Sequence, residues 1–341
     1  MIELIAFEKP SAKTENNLQF RGGENNSRVD ETMRRAWNTL AKILVAGAFI
    51  AWLLAFTGIE NIAQSFIQMG AGTFLAAGVM AVIVALLNGA ALWALYRVFS
   101  NIGFLEFLPA FLSSWVMGYI VPGKVGGLSL GVFLKDKVAP GQSAAIFIAD
   151  KAITVILAFA VAMLVLPAIL TDQELLFTIA AVIVILVGAF LLFYTQAGRG
   201  LIKNILGGHS VFFEGYSKAF PALLEKPAGI LWNCFFTIAR FFLQGVILVL
   251  FFFAIGVDAG ITQATLLVAA GAIASLAPFT FSGLGVKESV FVLLSVRMGF
   301  PAPESAAVAL ASTIVSWGIL ALFSGYFWGS VKNAAPHAPQ N

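Results

Sequence analysis

Six stretches of the sequence, 40–58, 71–96, 143–170, 175–194, 228–256 and 303–329, are apolar over enough residues to cross a bilayer alone. A helix needs ~20 apolar residues to span the hydrocarbon core. The first stretch is short, and it gains length if it begins near Trp37. In lipid every backbone N–H and C=O must be satisfied within the segment or by a closed barrel, so runs of this kind are helices. Composition agrees: 60% of the 341 residues are hydrophobic and 11% are charged, against ~25% charged in a soluble domain. This excludes a soluble enzyme, a disordered chain and a nucleic-acid binder. The net charge of +3 then reads as the Lys/Arg bias of cytoplasmic loops. The lone Cys234 lies in an apolar run and has no internal disulfide partner. Residues 1–35 hold six basic and six acidic side chains and no long apolar stretch. They read as a polar tail rather than a signal peptide.

Four further apolar stretches, 104–121, 128–134, 262–281 and 286–298, form two adjacent pairs. Each pair is split by a Pro/Gly-rich break, at 122–127 and 278–285. Charge orients the chain. Arg34, Arg35 and Lys42 precede the first stretch, and Arg97, Lys135, Lys137, Arg199, Lys203, Lys218, Lys226 and Lys332 mark later inner connections. Connections 59–70, 171–174 and 257–261 carry Glu60, Asp172, Glu174 and Asp258 but no Lys or Arg, and read as outer. These assignments agree only if each broken pair enters and leaves on one face. The predicted fold is therefore an all-α polytopic membrane protein: about six full spans and two re-entrant helical hairpins in an inverted-topology repeat, a pattern common in transporters.

The predicted organisation is a polar cytoplasmic tail at 1–36, a first membrane half at 37–170 with an inner hairpin at 104–134, a second half at 171–332 with an outer hairpin at 262–298, and a cytoplasmic tail at 333–341. Phe212, Phe213, Tyr216, Phe220, Leu223 and Leu224 recur at helical spacing, which suits an interfacial helix over 199–226 or an ordinary linker packed on the span ends. Both termini are expected in the cytoplasm.

A charge inside an apolar segment costs ~2.5–3.5 kcal/mol on insertion scales, so each one needs an explanation. The candidates are Lys124, the pair Asp150-Lys151, Arg240 and the pair Lys287-Glu288. Asp150 and Lys151 could be a structural ion pair or part of a binding site. Arg240 shares a helical face with Asn233 and Gln244, which predicts a polar interior there. In the first break, Pro122 ends a helix, while Gly123, Gly126 and Gly127 let backbone turn and approach a ligand. A helix starting beyond it points free N–H groups and a positive dipole end at the break. With Lys124 this makes an anion site, most plainly for a phosphate. The second break repeats the arrangement with Pro278, Thr280, Ser282, Gly283, Gly285 and Lys287. The other reading of each break is a hairpin tip that merely turns. Residues 127–131 match G-x-S-x-G, but that motif needs a strand, a turn and a histidine base, and His209 and His337 lie outside the membrane stretches. No His/Cys metal cluster and no ATP-binding loop is present in the sequence. The expectation is a protein without catalysis, cofactor or metal.

The run from Tyr119 to Gly127 resembles the P-G-R-x-G-E motif of the lysylphosphatidylglycerol synthase transmembrane family, also called the flippase-like domain family. Asp150-Lys151 resembles its acidic–basic pair. The run from Pro278 to Glu288 resembles its P-x-x-x-G-G-L-G-x-[RK]-E motif, with Ser282 for the first paired glycine. The likeness covers about 38–330. Lys124 stands for the motif arginine, Gly127 for the usual glutamate and Leu130 for a following arginine. The resemblance implies lipid translocation across the cytoplasmic membrane. Because the membrane part takes up the chain, a stand-alone member without the soluble synthase domain is expected. The implied partner is a membrane phospholipid or polyprenyl-linked lipid. A lipid-biosynthesis enzyme, a glycosyltransferase and a second copy of the chain are candidate protein partners. Two alternative functions stand beside this one: a non-catalytic partner of such an enzyme, and a transporter of a small anion.

Overall fold

Residues 59–70, polar enough to read as a connection, are helical, and two glycines account for the shape of this region. The computed structural model describes residue 40 and residues 43–120, 127–164, 166–194, 219, 221–275 and 283–334. It divides into two units, Met1–Leu44 and Val45–Asn341; of the first, Leu40, Ile43 and Leu44 are described. Helix α1 covers Ile43–Thr57. Gly58 then turns the chain at φ 81° and α2 runs Ile59–Tyr96, with a break in helical geometry at Gly70 (φ 67°, ψ 158°). Both angles lie where glycine alone is unstrained. Between the two glycines, Ile62, Ser65 and Met69 are buried while Ile67 is 80% exposed, the spacing of one helical face. Phe66 stacks on Phe74 across the kink, ring centroids 5.9 Å apart.

The remaining helices are α3 Phe104–Ile120, the single turn α4 Leu130–Phe133, α5 Pro140–Met163, α6 Asp172–Tyr194, α7 Pro227–Ala254, α8 Ile261–Ala274, α9 Val286–Arg297 and α10 Ala302–Ala334. No strand occurs among the described residues. Helices α2, α5, α7 and, within α10, Ala302–Ser324 have the length and composition to cross a membrane, and α6 has 23 residues. Helix α1 is apolar over its 15 described residues, and Leu40 ahead of it is helical as well. Of the interfacial helix read over 199–226, residues 221–225 are helical and 195–218 lie outside the described residues.

Helix starts follow their sequences. Proline occupies the first turn of α5 and α7, where its missing N–H has no helical acceptor to lose. Ahead of α6 the Glu174 carboxylate accepts from Thr171 N–H at 3.1 Å, and the Thr171 hydroxyl accepts from Glu174 N–H at 3.4 Å. Gln263 Oε1 accepts likewise from Gly260 N–H at 3.0 Å before α8. Each satisfies donors that a helix start leaves open.

Packing joins α2 and α7 along their length. A Cβ on Gly229 would lie 2.6 Å from Val98 Cγ2 and 3.1 Å from the Ala94 carbonyl; small residues let membrane helices approach this closely. One core gathers Leu53, Ile62, Met69, Phe251, Phe252, Leu267, Phe291 and Val308. Another gathers Leu95, Tyr96, Phe107, Phe111, Leu130 and Ile146. Large apolar side chains such as Leu75, Leu105, Phe177 and Phe253 remain exposed, as helices facing lipid require.

Two ion pairs place the short arms. Glu106, at the start of α3, meets Lys137, beyond α4, at 2.8 Å. The segment between them leaves and returns at one level, next to the Pro140 end of α5. At the other end of α5, Ala162 and Leu166 pack with Leu266 of α8, Leu175 of α6 and Met298 just past α9. Arg297 there meets Glu174 at 2.6 Å. The α8–α9 pair thus also leaves and returns at one level. The two levels are separated by the 24 residues of α5, ~36 Å.

Candidate functional site

Midway along α5 and α7, carboxylate, amide and guanidinium groups meet. Asp150 is the eleventh of the 24 residues of α5 and Arg240 the fourteenth of the 28 of α7. Asp150 is 3% exposed. Its Oδ2 accepts from Lys151 Nζ at 2.7 Å and its Oδ1 from Asn233 Nδ2 at 3.0 Å. The same amide nitrogen donates to the Ala91 carbonyl at 2.7 Å, so Asn233 ties α7 to α2 and α5 together. Arg240 Nη1 donates to Asn88 Oδ1 of α2 at 2.8 Å, and its guanidinium lies 5.2 Å from the Phe241 ring centroid. The Lys151 ammonium lies 5.2 Å from the Phe147 centroid. A buried charge persists only when paired in this manner.

The second charged pair stands at the N-terminal end of α9. Glu288 is fully buried. Its Oε2 accepts from Gly285 N–H at 2.7 Å, capping its own helix, and its Oε1 accepts from the Thr313 hydroxyl of α10 at 2.5 Å. Lys287 Nζ lies 3.5 Å from Glu288 Oε1. The Lys287 stem rests on Gly271 of α8, where a Cβ would come within 3.2 Å of Lys287 Cγ. Gly285 (φ 84°) and Gly283 (φ 78°) carry the tight turn into α9. A Cβ on Gly283 would fall 2.5 Å from Ser275 Cα, and one on Gly285 2.7 Å from Phe49 Cβ.

These groups line one cavity of about 230 Å³, with Asn88, Gly127, Asp150, Lys151, Arg240, Gln244, Lys287, Glu288 and Thr313 in its wall. Gly127 is held by Ser114, whose hydroxyl donates to its carbonyl at 2.9 Å. A Cβ there would come 2.5 Å from Phe147 Cε2. The cavity therefore draws on both short-arm pairs, through Gly127 on one side and Leu284, Lys287 and Glu288 on the other.

Of the residues singled out in the sequence, Gly127, Asp150, Lys151, Arg240, Lys287 and Glu288 come together here, and Gly283 and Gly285 shape the turn beside it. Pro122, Gly123, Lys124, Gly126, Pro278 and Ser282 lie outside the described residues. The expected polar face of α7 is present: Gln244 lines the cavity and Asn233 holds Asp150. Two partners escaped the sequence reading. Asn88 was the signal for the first, an amide alone in the run 71–96. Thr313 gave a weaker one, a hydroxyl between Ser312 and Ser316 on α10, 25 residues from the carboxylate it meets.

A family model described as the lysylphosphatidylglycerol synthase TM region matches residues 39–324. No curated protein and no solved structure matches the chain.

Proposed function

Because the chain belongs to the lysylphosphatidylglycerol synthase transmembrane family, a family of membrane proteins tied to lipid metabolism, we propose that it moves a phosphate-bearing lipid, or a lipid-linked intermediate, between the leaflets of the cell membrane without catalysing a reaction. One observation supports this above the rest. The cavity sits at the middle of the long helices and gathers residues from two short-arm pairs that open at opposite ends of α5. A headgroup crossing a bilayer has to trade water for fixed polar groups near mid-depth, since an unsatisfied polar group costs several kcal/mol there. Lys151, Arg240 and Lys287 supply donors for a phosphate at that depth. The non-helical turn at Gly283 and Gly285 beside the cavity fits a cavity wall, the place where such backbone is tolerated.

The orientation proposed puts both termini and the Glu106–Lys137 level in the cytoplasm and the Glu174–Arg297 level outside. Arg97, Lys135, Lys137 and Lys226 lie in the connections assigned to the first level, and Glu60, Asp172, Glu174 and Asp258 in those assigned to the second, the distribution that the positive-inside rule describes. The two halves are then an inverted-topology repeat with its site at the repeat interface. The test is reconstitution of the purified protein in liposomes with a fluorophore on a lipid headgroup, read by chemical quenching of the outer leaflet. Quenching beyond the outer-leaflet half, faster than in protein-free liposomes, is the expected result. Rates equal to those of protein-free liposomes across a panel of phosphate-bearing lipids would overturn the proposal.

A further inference from the structure

We infer that this cavity selects a headgroup of net negative charge, a phosphate without a compensating amine, and discriminates against an aminoacylated, cationic one. The inference rests on the translocation reading for its setting, but its basis is which charges the wall turns inward. The protein groups that hold a ligand ammonium most strongly are a carboxylate and the face of an aromatic ring. Among the described residues, both carboxylates in the wall are turned into the protein. Asp150 and Glu288 side chains are 5% and 0% exposed. The two oxygens of Asp150 accept from Lys151 and Asn233, and those of Glu288 from Gly285 N–H and Thr313. Two of the aromatic faces are taken as well: Phe147 lies under Lys151 and Phe241 under Arg240.

The cations are placed in the opposite way. Lys151 and Lys287 side chains are 29% and 30% exposed in the wall of the same cavity. An ammonium has three N–H donors. The single bond to Asp150 leaves Lys151 donors for a ligand oxygen, and the 3.5 Å separation from Glu288 leaves Lys287 able to turn toward one. A phosphate entering here finds donors and positive charge at once. An ammonium entering here finds like charge first, and to win a carboxylate it must displace a bond already made in the interior. In a low dielectric both effects are strong.

The test is displacement of a fluorophore-labelled phosphatidylglycerol from the full-length protein in mixed micelles. Unlabelled phosphatidylglycerol, phosphatidic acid, lysyl-phosphatidylglycerol and inorganic phosphate serve as competitors. The anionic lipids should displace the probe at concentrations at least tenfold below those needed for the lysyl lipid, a ratio on the scale of one charged hydrogen bond. Lys287→Gln should weaken the anionic lipids about tenfold, and Lys287→Arg should restore them. Equal or tighter binding of the lysyl lipid, no binding of the probe, or displacement by inorganic phosphate but by no lipid would each overturn the inference. Selective binding with no movement of any lipid in liposomes would defeat the translocation reading and leave the charge selectivity standing. Movement of the lysyl lipid at the rate of phosphatidylglycerol, or faster, would do the reverse.

Discussion

Glu288 uses both its oxygens within the protein, one on the start of its own helix and one on Thr313. Glu288→Ala leaves the Gly285 N–H and the Thr313 hydroxyl unpaired in the interior. Each buried group stripped of its partner costs about 1–3 kcal/mol, so a clear drop in thermal unfolding temperature in detergent is expected, and an unchanged midpoint would show that the carboxylate is dispensable to the fold. Arg240 behaves differently because it is only partly buried in the cavity wall, whereas Glu288 is fully buried there. Arg240→Leu should abolish lipid movement in liposomes while the protein still inserts. Arg240→Lys should keep part of it, since lysine preserves the charge and loses the planar fork. Full transport by the leucine variant would reduce Arg240 to a structural residue. The five charged residues Asp150, Lys151, Arg240, Lys287 and Glu288 were legible in the sequence because a charge in an apolar run has few explanations. Their division of labour was not. Whether a carboxylate meets a ligand or a neighbouring hydroxyl depends on residues such as Thr313 and Asn233, which are distant in the chain, and a neutral polar residue in an apolar run carries little signal by itself.

At the scale of elements, glycines mark where helices break, and the structure separates two kinds. Gly70 has a positive φ but open space where a side chain would go; Gly283 has a positive φ and Ser275 Cα 2.5 Å from the place of a Cβ. Gly70→Ala should therefore cost only the backbone strain of a conformation that is essentially glycine's alone, about 1–3 kcal/mol. Gly283→Ala adds a clash with backbone that cannot be relieved by rotating a side chain. Thermal unfolding of the two variants side by side should show Gly283→Ala the more destabilised by a wide margin, and equal midpoints would contradict the packing at the turn. The long apolar stretches announced most of the helices, since length and hydropathy suffice for a span. Residues 59–70 were harder to read. Glu60, Asn61, Gln64 and Gln68 give the segment the polarity of a connection, while the buried positions Ile62, Ser65 and Met69 follow a helical period that is short and easily overlooked between two glycines.

For the whole molecule, the ion pairs at the ends of the short arms make sidedness testable. Glu106 and Lys137 meet at one level, Glu174 and Arg297 at the other, and their side chains are between 37% and 52% exposed. An exposed pair contributes only ~0–1 kcal/mol, so each residue can be replaced by cysteine singly without disturbing the fold. In a Cys234→Ala background, an impermeant thiol reagent applied to sealed, right-side-out vesicles should label cysteines at 174 and 297 and leave those at 106 and 137 untouched. Opening the vesicles should expose the second pair. The prediction separates two claims that composition alone runs together. Labelling of 106 and 137 from opposite faces would mean that the segment between them crosses the membrane, and the hairpin would be lost with it. Labelling of both from outside, with 174 and 297 inside, would keep each pair of ends on one face and invert only the orientation. The second outcome would count against the charge bias at Arg97, Lys135, Lys137 and Lys226, because hairpin geometry follows from which ends meet, whereas the choice of face follows from the Lys/Arg distribution across the bilayer.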